Sequence, residues 1–274
     1  MSARPSLEAL TRLAIAAGRE IMAVRATGFE AMIKGDGSPV TIADQRAEAL
    51  IEAGLAALAP DIPMVGEEAV ADGRIPAPSA RYFCVDALDG TRGFAKGGDE
   101  FTVNIALIED GAPTMGVVLA PASGDLYAGE PGRALRARAP HDAAPIAFEA
   151  IKTSAQTSAW RIVASRTFGR TEHAKKFAAA LGAQSQDDAA SSIKFCRVAE
   201  GGADLYPRFG DLNEWDAAAG HAVLSAAGGG VMKIDGAPLL YGARAEGFLF
   251  RGLIAYANPA AAEAALDALK RLGV

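Results

Sequence analysis

The sequence predicts a layered α/β protein, and three features carry that expectation. Strand-like apolar runs crowd residues 81–137, which points to an antiparallel sheet. Beyond residue 160, short apolar runs alternate with stretches of helical period, which points to a second, mixed layer. Half of the 274 residues are apolar and 22% are charged, enough to bury a large core between such layers.

Taken in order, Ser6 to Val24 reads as an amphipathic helix with Leu7, Leu10, Ala14, Ala17 and Ile21 on one face. The glycine- and proline-punctuated KGDGSPVTIAD (34–44) is a loop that leads into a second helix closed by Pro60. RYFCVDA and FTVNIALI read as strands, and Asp110-Gly111 as a hairpin turn into TMGVVLAP. LYAGEPGRALRA continues the β structure, and around 135–160 the pattern weakens to an edge or a connection between halves. RIVAS then reads as a strand, TEHAKKFAAAL and SSIKFCRVAEG as helices, and ADLYP as a strand. DAAAGHAVLSAAGG is a helix with an all-small face, GGVMKIDG a β segment, IAYA a last strand and PAAAEAALDALKRL a last helix. The chain therefore divides at about residue 140 into an α+β half (1–140) and an α/β half (141–274) forming one compact unit, without internal repeats.

A net charge of −6 argues against a nucleic-acid polymer as partner, but not against a small anionic substrate, because bound cations reverse a local field. Cys84 and Cys196 lie in apolar stretches and read as buried thiols of a reducing compartment. The N-terminus lacks a secretory apolar core, and no apolar run is long enough to span a bilayer, so a cytoplasmic protein is expected.

Chemistry is concentrated in acidic residues at special backbone positions. Glu67 and Glu68 follow Gly66, Asp86 and Asp89 sit in VDALDGT after an apolar strand, and Asp216 opens the helix of DAAAGHAV. Hard divalent cations want oxygen donors, and Mg²⁺ commonly takes one or two carboxylates besides water and substrate phosphate. An Asp at a strand end and another three residues on can bend around one cluster, with the Leu88 carbonyl between them. Gly90 permits close backbone approach, and its N–H and that of Thr91 can meet a phosphate. Blander readings compete: a Glu-Glu pair is usually solvated, Asp216 can simply cap a helix, and Thr41 with Asp44 resembles a capping box. An Asp-x-Asp phosphatase motif with a nucleophilic first Asp is excluded, because Asp86 and Asp89 are three apart. His173 and His221 lack metal-ligand spacing.

VDALDGTRGF, with VGEEA upstream and EWDAAAG downstream, resembles the inositol monophosphatase superfamily. The resemblance implies an α-β-α-β-α sandwich of the inositol monophosphatase/fructose-1,6-bisphosphatase type and a lithium-sensitive, Mg²⁺-dependent phosphomonoesterase using two or three ions per site. It further implies that Glu67, Asp86, the Leu88 carbonyl, Asp89 and Asp216 hold the metals, while Thr91 paired with Asp44 orients metal-activated water for in-line attack. Within the superfamily, KGDGSPVTIAD, EFTVNIALIEDG and SSIKFCRVAEGGADLYPRFG are most similar to the CysQ branch, the 3′(2′),5′-bisphosphate nucleotidases of sulfur metabolism. That likeness implies hydrolysis of adenosine 3′,5′-bisphosphate to AMP, with Ser191, Lys194 and Arg208 on the nucleotide alongside Gly90 and Thr91. A phosphatase of inositol phosphate, histidinol phosphate or a sugar phosphate is the alternative, and a non-catalytic sensor of a phosphometabolite a third. The partner is a small phosphorylated metabolite, and the state a monomer or homodimer without stable membrane insertion. Four departures from the family pattern leave the chemistry intact and bear on the choice of substrate: Ala87 replaces a usual proline in the turn between the acids, Arg92 a lysine, Phe168 a histidine, and Asp211-Leu212 the family's usual pair before EWD.

Overall fold

The computed structural model describes residues 4–33, 39–139, 145–165 and 171–273. Of the loop expected over 34–44, residues 34–38 lie outside these residues, as does Phe168, while residues 39–44 form a short strand and the first turn of a helix instead of loop. Five layers alternate helix and sheet. The first is a helix pair, α1 (Leu7–Thr27) and α2 (Ile42–Leu58), bridged by the short hairpin β1 (Ala31–Ile33) and β2 (Pro39–Thr41). The pair packs on one face of a seven-stranded sheet in simple sequence order. Its strands are β3 (Met64–Gly66), β4 (Arg81–Asp89), β5 (Thr102–Glu109), β6 (Ala112–Ala120), β7 (Asp125–Glu130), β8 (Arg133–Arg138) and β9 (Glu149–Ala150). Only β3 runs parallel to its neighbour, and it is followed by the one-turn helix α3 (Glu67–Ala71). A second short helix, α4 (Thr91–Phe94), leaves the end of β4.

The second sheet has five strands in the order β11-β10-β12-β16-β14: β10 (Arg161–Ser165), β11 (Ser185–Ala189), β12 (Leu205–Arg208), β14 (Gly230–Met232) and β16 (Leu253–Tyr256). Its outer face carries α5 (Glu172–Leu181) and α8 (Pro259–Leu272). Between the two sheets lie α6 (Ile193–Ala199) and α7 (Glu214–Ala226), and a small ladder of β13 (Leu212–Asn213) with β15 (Leu249–Phe250) flanks the start of α7. The α-β-α-β-α order follows directly.

Period-two alternation decides what each strand offers its two faces. On β4, Phe83, Val85 and Ala87 join the core under α1 and α2, whereas Tyr82 and Cys84 face α7. Asp86 continues that second register and points toward α7 at the strand's end. A register shift between Asp86 and Asp89 then bends the chain out of the ladder. The Asp110-Gly111 turn has positive φ at both residues (51° and 78°), as a type I′ hairpin requires. Cys84 and Cys196 are buried free thiols, as expected.

The all-small face of α7 has a packing reason. A side-chain carbon on Gly116 of β6 would collide with the Ala219 carbonyl oxygen and lie 2.7 Å from Ala222 Cβ, and one on Gly129 of β7 would lie 2.7 Å from Val223 Cα. Glycine on the sheet and alanine on the helix thus bring α7 unusually close to the strands, with Gly220 doing the same against Phe195. Overpacking a rigid contact typically costs about 1–3 kcal/mol. Gly116→Ala is therefore expected to lower the unfolding free energy by that amount, read from urea denaturation. A midpoint unchanged from wild type would show that α7 has room to retreat.

A candidate metal centre and its anion cleft

Three carboxylates converge where β4 ends and α7 begins. Asp86, Asp89 and Asp216 each present an oxygen within 4.8 Å of those of the other two. Glu67, at the first position of α3, stands close enough to raise the proton affinity of all three. Burial is the leading cause of these shifts: it holds Asp86 well above the usual carboxylate range and pushes Asp216 up to about 8. Asp89 is also raised by burial, with the Lys194 ammonium opposing the shift.

Each acid is held by local structure. Asp86 Oδ1 accepts the Leu88 N–H at 3.0 Å, while its Oδ2 is buried without a bonding partner among the described residues. Asp216 sits at the third position of α7, which opens at Glu214, two residues earlier than expected. There its Oδ2 accepts the Asn213 N–H at 2.8 Å in a capping box. Asp44 does the same at the start of α2, where its Oδ2 accepts the Thr41 N–H at 2.8 Å and the Thr41 hydroxyl at 2.7 Å. The capping reading of both residues is thus correct, and it leaves a carboxylate oxygen over. Asp44 Oδ1 lies 2.8 Å from the Thr91 hydroxyl, which also lies 3.0 Å from the Leu88 carbonyl. One hydroxyl proton serves only one of these acceptors at a time. Gly90, at φ 99°, precedes α4, and a side chain there would meet Ser191 Oγ at 2.7 Å.

The turn before α6 ties the acids together. Ser191, in the left-handed region at φ 52°, donates its hydroxyl to the Asp89 carbonyl at 2.9 Å. The Ser192 hydroxyl donates to the Asp216 carbonyl at 2.9 Å, and its N–H bonds the Asp89 carboxylate. Lys194, 4% exposed, donates to the Ser191 carbonyl at 2.6 Å and lies 5.2 Å over the Tyr206 ring. Burial lowers its pKa to about 8. Arg208 is fixed by main-chain acceptors, the Gly210 and Asp211 carbonyls at 3.2 and 2.7 Å. A cleft of about 640 Å³ opens in front, bringing Asp89, Gly90, Ser191, Lys194, Arg208 and Asp216 together with the further cations Arg92 and Lys96.

The departures resolve unevenly. Ala87 is buried in β4, and the 86–89 bend is braced instead by the Leu88 N–H and the Thr91 hydroxyl. Leu212 lines the cleft, whereas the exposed Asp211 side chain lies 4.0 Å from Arg251. Sequence reasoning missed Ser192 and Glu48. Glu48 is 2% exposed and accepts the Glu68 and Ala69 N–H groups at 2.9 and 2.7 Å, fixing the start of α3 and with it Glu67. The available signal was position, for Glu48 falls on the buried stripe of α2 between Asp44 and Ile51. His173 is exposed on α5.

An oxygen-only acid cluster at the junction of two sheets, beside a cation-lined cleft, suits divalent metal and phosphate chemistry. Comparison with known proteins agrees. The chain belongs to the inositol monophosphatase family, whose model matches residues 2–271. It is a phosphoric monoester hydrolase. Among its relatives is the 3′(2′),5′-bisphosphate nucleotidase CysQ of Escherichia coli K12, 41% identical over 251 residues, covering 90% of this chain and 97% of the relative. The structure of CysQ from Bacteroides thetaiotaomicron superposes with a TM-score of 0.74 at 33% identity, covering 92% of this chain and 96% of that one. An inositol monophosphatase from Anabaena shares the fold at TM-score 0.74 and 23% identity, covering 96% and 95%. Among the described residues no helix is long and apolar enough to cross a membrane.

His221 on α7 lies 3.1 Å from the Tyr241 hydroxyl, and burial lowers its pKa from 6.5 to about 4. The unfolded chain therefore binds a proton that the native state refuses. This histidine costs nothing above pH 6.5, and its penalty grows as pH falls toward 4, reaching up to about 3 kcal/mol. His221→Phe is expected to flatten the acid-side loss of stability between pH 6.5 and 4, read from denaturation midpoints against wild type. Parallel profiles would show that the ring is protonated in the native state.

Proposed function

We propose that this enzyme hydrolyses adenosine 3′,5′-bisphosphate to AMP and phosphate with Mg²⁺ as cofactor, clearing a by-product of sulfate assimilation. The observation that carries the reading is the pairing of the acid cluster with buried Lys194 and the carbonyl-fixed Arg208 in one cleft. The likeness to CysQ enzymes over nearly the whole chain supports it.

The donor set suits the metal. It offers hard oxygens only, and the buried Asp86 Oδ2 needs a positive partner that no described residue provides. Glu67, Asp86, the Leu88 carbonyl, Asp89 and Asp216 would hold two or three ions, which when bound supply Lewis acidity and neutralise charge on the phosphoryl group. The chain's own groups do the rest. Asp44 Oδ1 accepts a hydrogen bond from Thr91, which leaves a Thr91 lone pair to orient the attacking water; as Thr91 takes the water's proton, its own proton passes to Asp44. The Gly90 and Thr91 N–H groups meet the reacting phosphate. Arg208 presents a rigid fork to the second phosphate, and Lys194 adds charge from below. Ser191 keeps the Asp89 backbone in place while lining the nucleotide side. No protein nucleophile is required.

Activity is expected to vanish on exhaustive chelation, to return with Mg²⁺ and to fall with Li⁺. Asp89→Asn should cost more than tenfold in kcat, over about 1.4 kcal/mol of barrier, without unfolding the protein. The metal-free variant should even gain stability, because it removes one of several crowded charges. Retention of more than a tenth of wild-type kcat would contradict the ligand assignment.

The substrate is tested by ratio. Wild type should favour the bisphosphate over inositol 1-phosphate in kcat/KM. A desolvated charge pair is worth about 2–5 kcal/mol, so Lys194→Ala and Arg208→Ala should each narrow that preference by at least about tenfold. An unchanged ratio would show that the second phosphate binds elsewhere, and outright preference for a monophosphate would replace the substrate.

A further inference from the structure

Behind the acid cluster, on the sheet side, lies a second group of polar side chains that the reaction does not use. Thr102 and Asn104 of β5 are both 0% exposed. In the antiparallel ladder Asn104 is paired directly with Asp86, and Thr102 with Asp89. Period-two alternation puts both on the face that carries Ala106 and Ile108, the face turned toward α7 and shared by Asp86. Residues directly opposite in such a ladder have Cβ atoms about 4.5–5.5 Å apart, within reach of one bridging water.

Both amide atoms of Asn104, the Thr102 hydroxyl and Asp86 Oδ2 are buried, and none has a bonding partner among the described residues. An amide and a hydroxyl buried without partners are strongly unfavourable, and apolar side chains of the same shape would be free of that penalty. Their neighbours on the same face are Ala106 and Ile108, so an apolar pair would fit the surroundings. Polar groups at these two positions, opposite two carboxylates, therefore point to a task at the carboxylates.

We propose that Asn104 and Thr102 are positioning residues of the metal centre: together they hold an ordered water against Asp86 Oδ2, fixing the carboxylate in its metal-facing orientation. Three or four polar partners meet the requirement for a stable buried water. The Asn104 amide can donate through Nδ2 and accept through Oδ1, and the Thr102 hydroxyl can do either. The proposal rests on the reading of Asp86, Asp89 and Asp216 as metal ligands and extends it to a strand that contributes none. Groups that orient ligands in this way typically account for 10–100-fold in metal affinity.

The test uses the full chain stripped of metal, with Mn²⁺ alone as the probe and free Mn²⁺ counted by electron paramagnetic resonance, alongside thermal unfolding of the metal-free protein. Asn104→Leu and Thr102→Val should each weaken Mn²⁺ binding at least tenfold, while metal-free stability holds or rises. Thr102→Ser, which keeps the hydroxyl, should stay within threefold of wild type. A merely structural role predicts the reverse: lower stability with unchanged Mn²⁺ affinity, and that result overturns the proposal. Should Asn104→Leu fail to fold, the contrast between Thr102→Val and Thr102→Ser decides. Wild type that binds Mn²⁺ while both Thr102 variants bind it equally well sinks only the positioning role. Wild type that binds no Mn²⁺ sinks the metal centre and this proposal with it.

Discussion

Several carboxylates gathered away from bulk water repel one another, and much of the surrounding structure exists to oppose that repulsion. Charges a few ångströms apart interact weakly in water and far more strongly where protein replaces solvent. The acids here come from three separate places, α3, the end of β4 and the start of α7, so nothing in the local chain keeps them together. Tertiary packing must do so. Glycine on β6 and β7 against alanine on α7 sets the spacing between sheet and helix, and the Ser191-Ser192 turn bonds to both acid-bearing segments. In the metal-free molecule burial first, and the neighbouring acids after it, favour protons on Asp86, Asp89 and Asp216. Divalent cations would displace those protons, so metal binding, folding and proton release are one coupled equilibrium.

The two capping boxes show how a stability device becomes a chemical one. Asp44 and Asp216 each spend one oxygen on a backbone N–H at a helix start. That bond fixes the carboxylate plane: the other oxygen of Asp44 is aimed toward Thr91, and Asp216 holds an oxygen within 4.8 Å of those of Asp86 and Asp89. In the proposed function, the structural and functional accounts of these residues are therefore the same account. Asp in place of the usual Glu at the third position suits this use, since the shorter side chain has fewer torsions to fix.

Legibility in the sequence followed the range of the interactions. Strands β4 to β8, the Asp110-Gly111 turn and helices α1, α2, α5, α7 and α8 were readable because periodicity and turn chemistry are local. Strand β11, SQDDA, was invisible because it carries neither apolar alternation nor β-branched residues and is recruited only by its parallel pairing with β10. Strand β3 is too short to show a period. At the site, the acids were found because they stand beside glycines and strand ends, and Thr91 because it follows Asp89 at motif spacing. Glu48 and Ser192 were not found, for their partners lie 20 or more residues away and only the fold reveals them.

Two carbonyl oxygens help to hold Arg208 in place, and a carbonyl is the same atom whatever residue bears it. Residues 210 and 211 can therefore drift through evolution without disturbing the guanidinium, provided the backbone path survives. This loop carries an acidic residue at 211, yet Asp211 turns its side chain to solvent and lends only its main chain to the cleft. A guanidinium held in this way is insulated from much of the mutational load on its own loop. Ancestral and descendant enzymes can then differ there freely while still presenting the same guanidinium to the cleft.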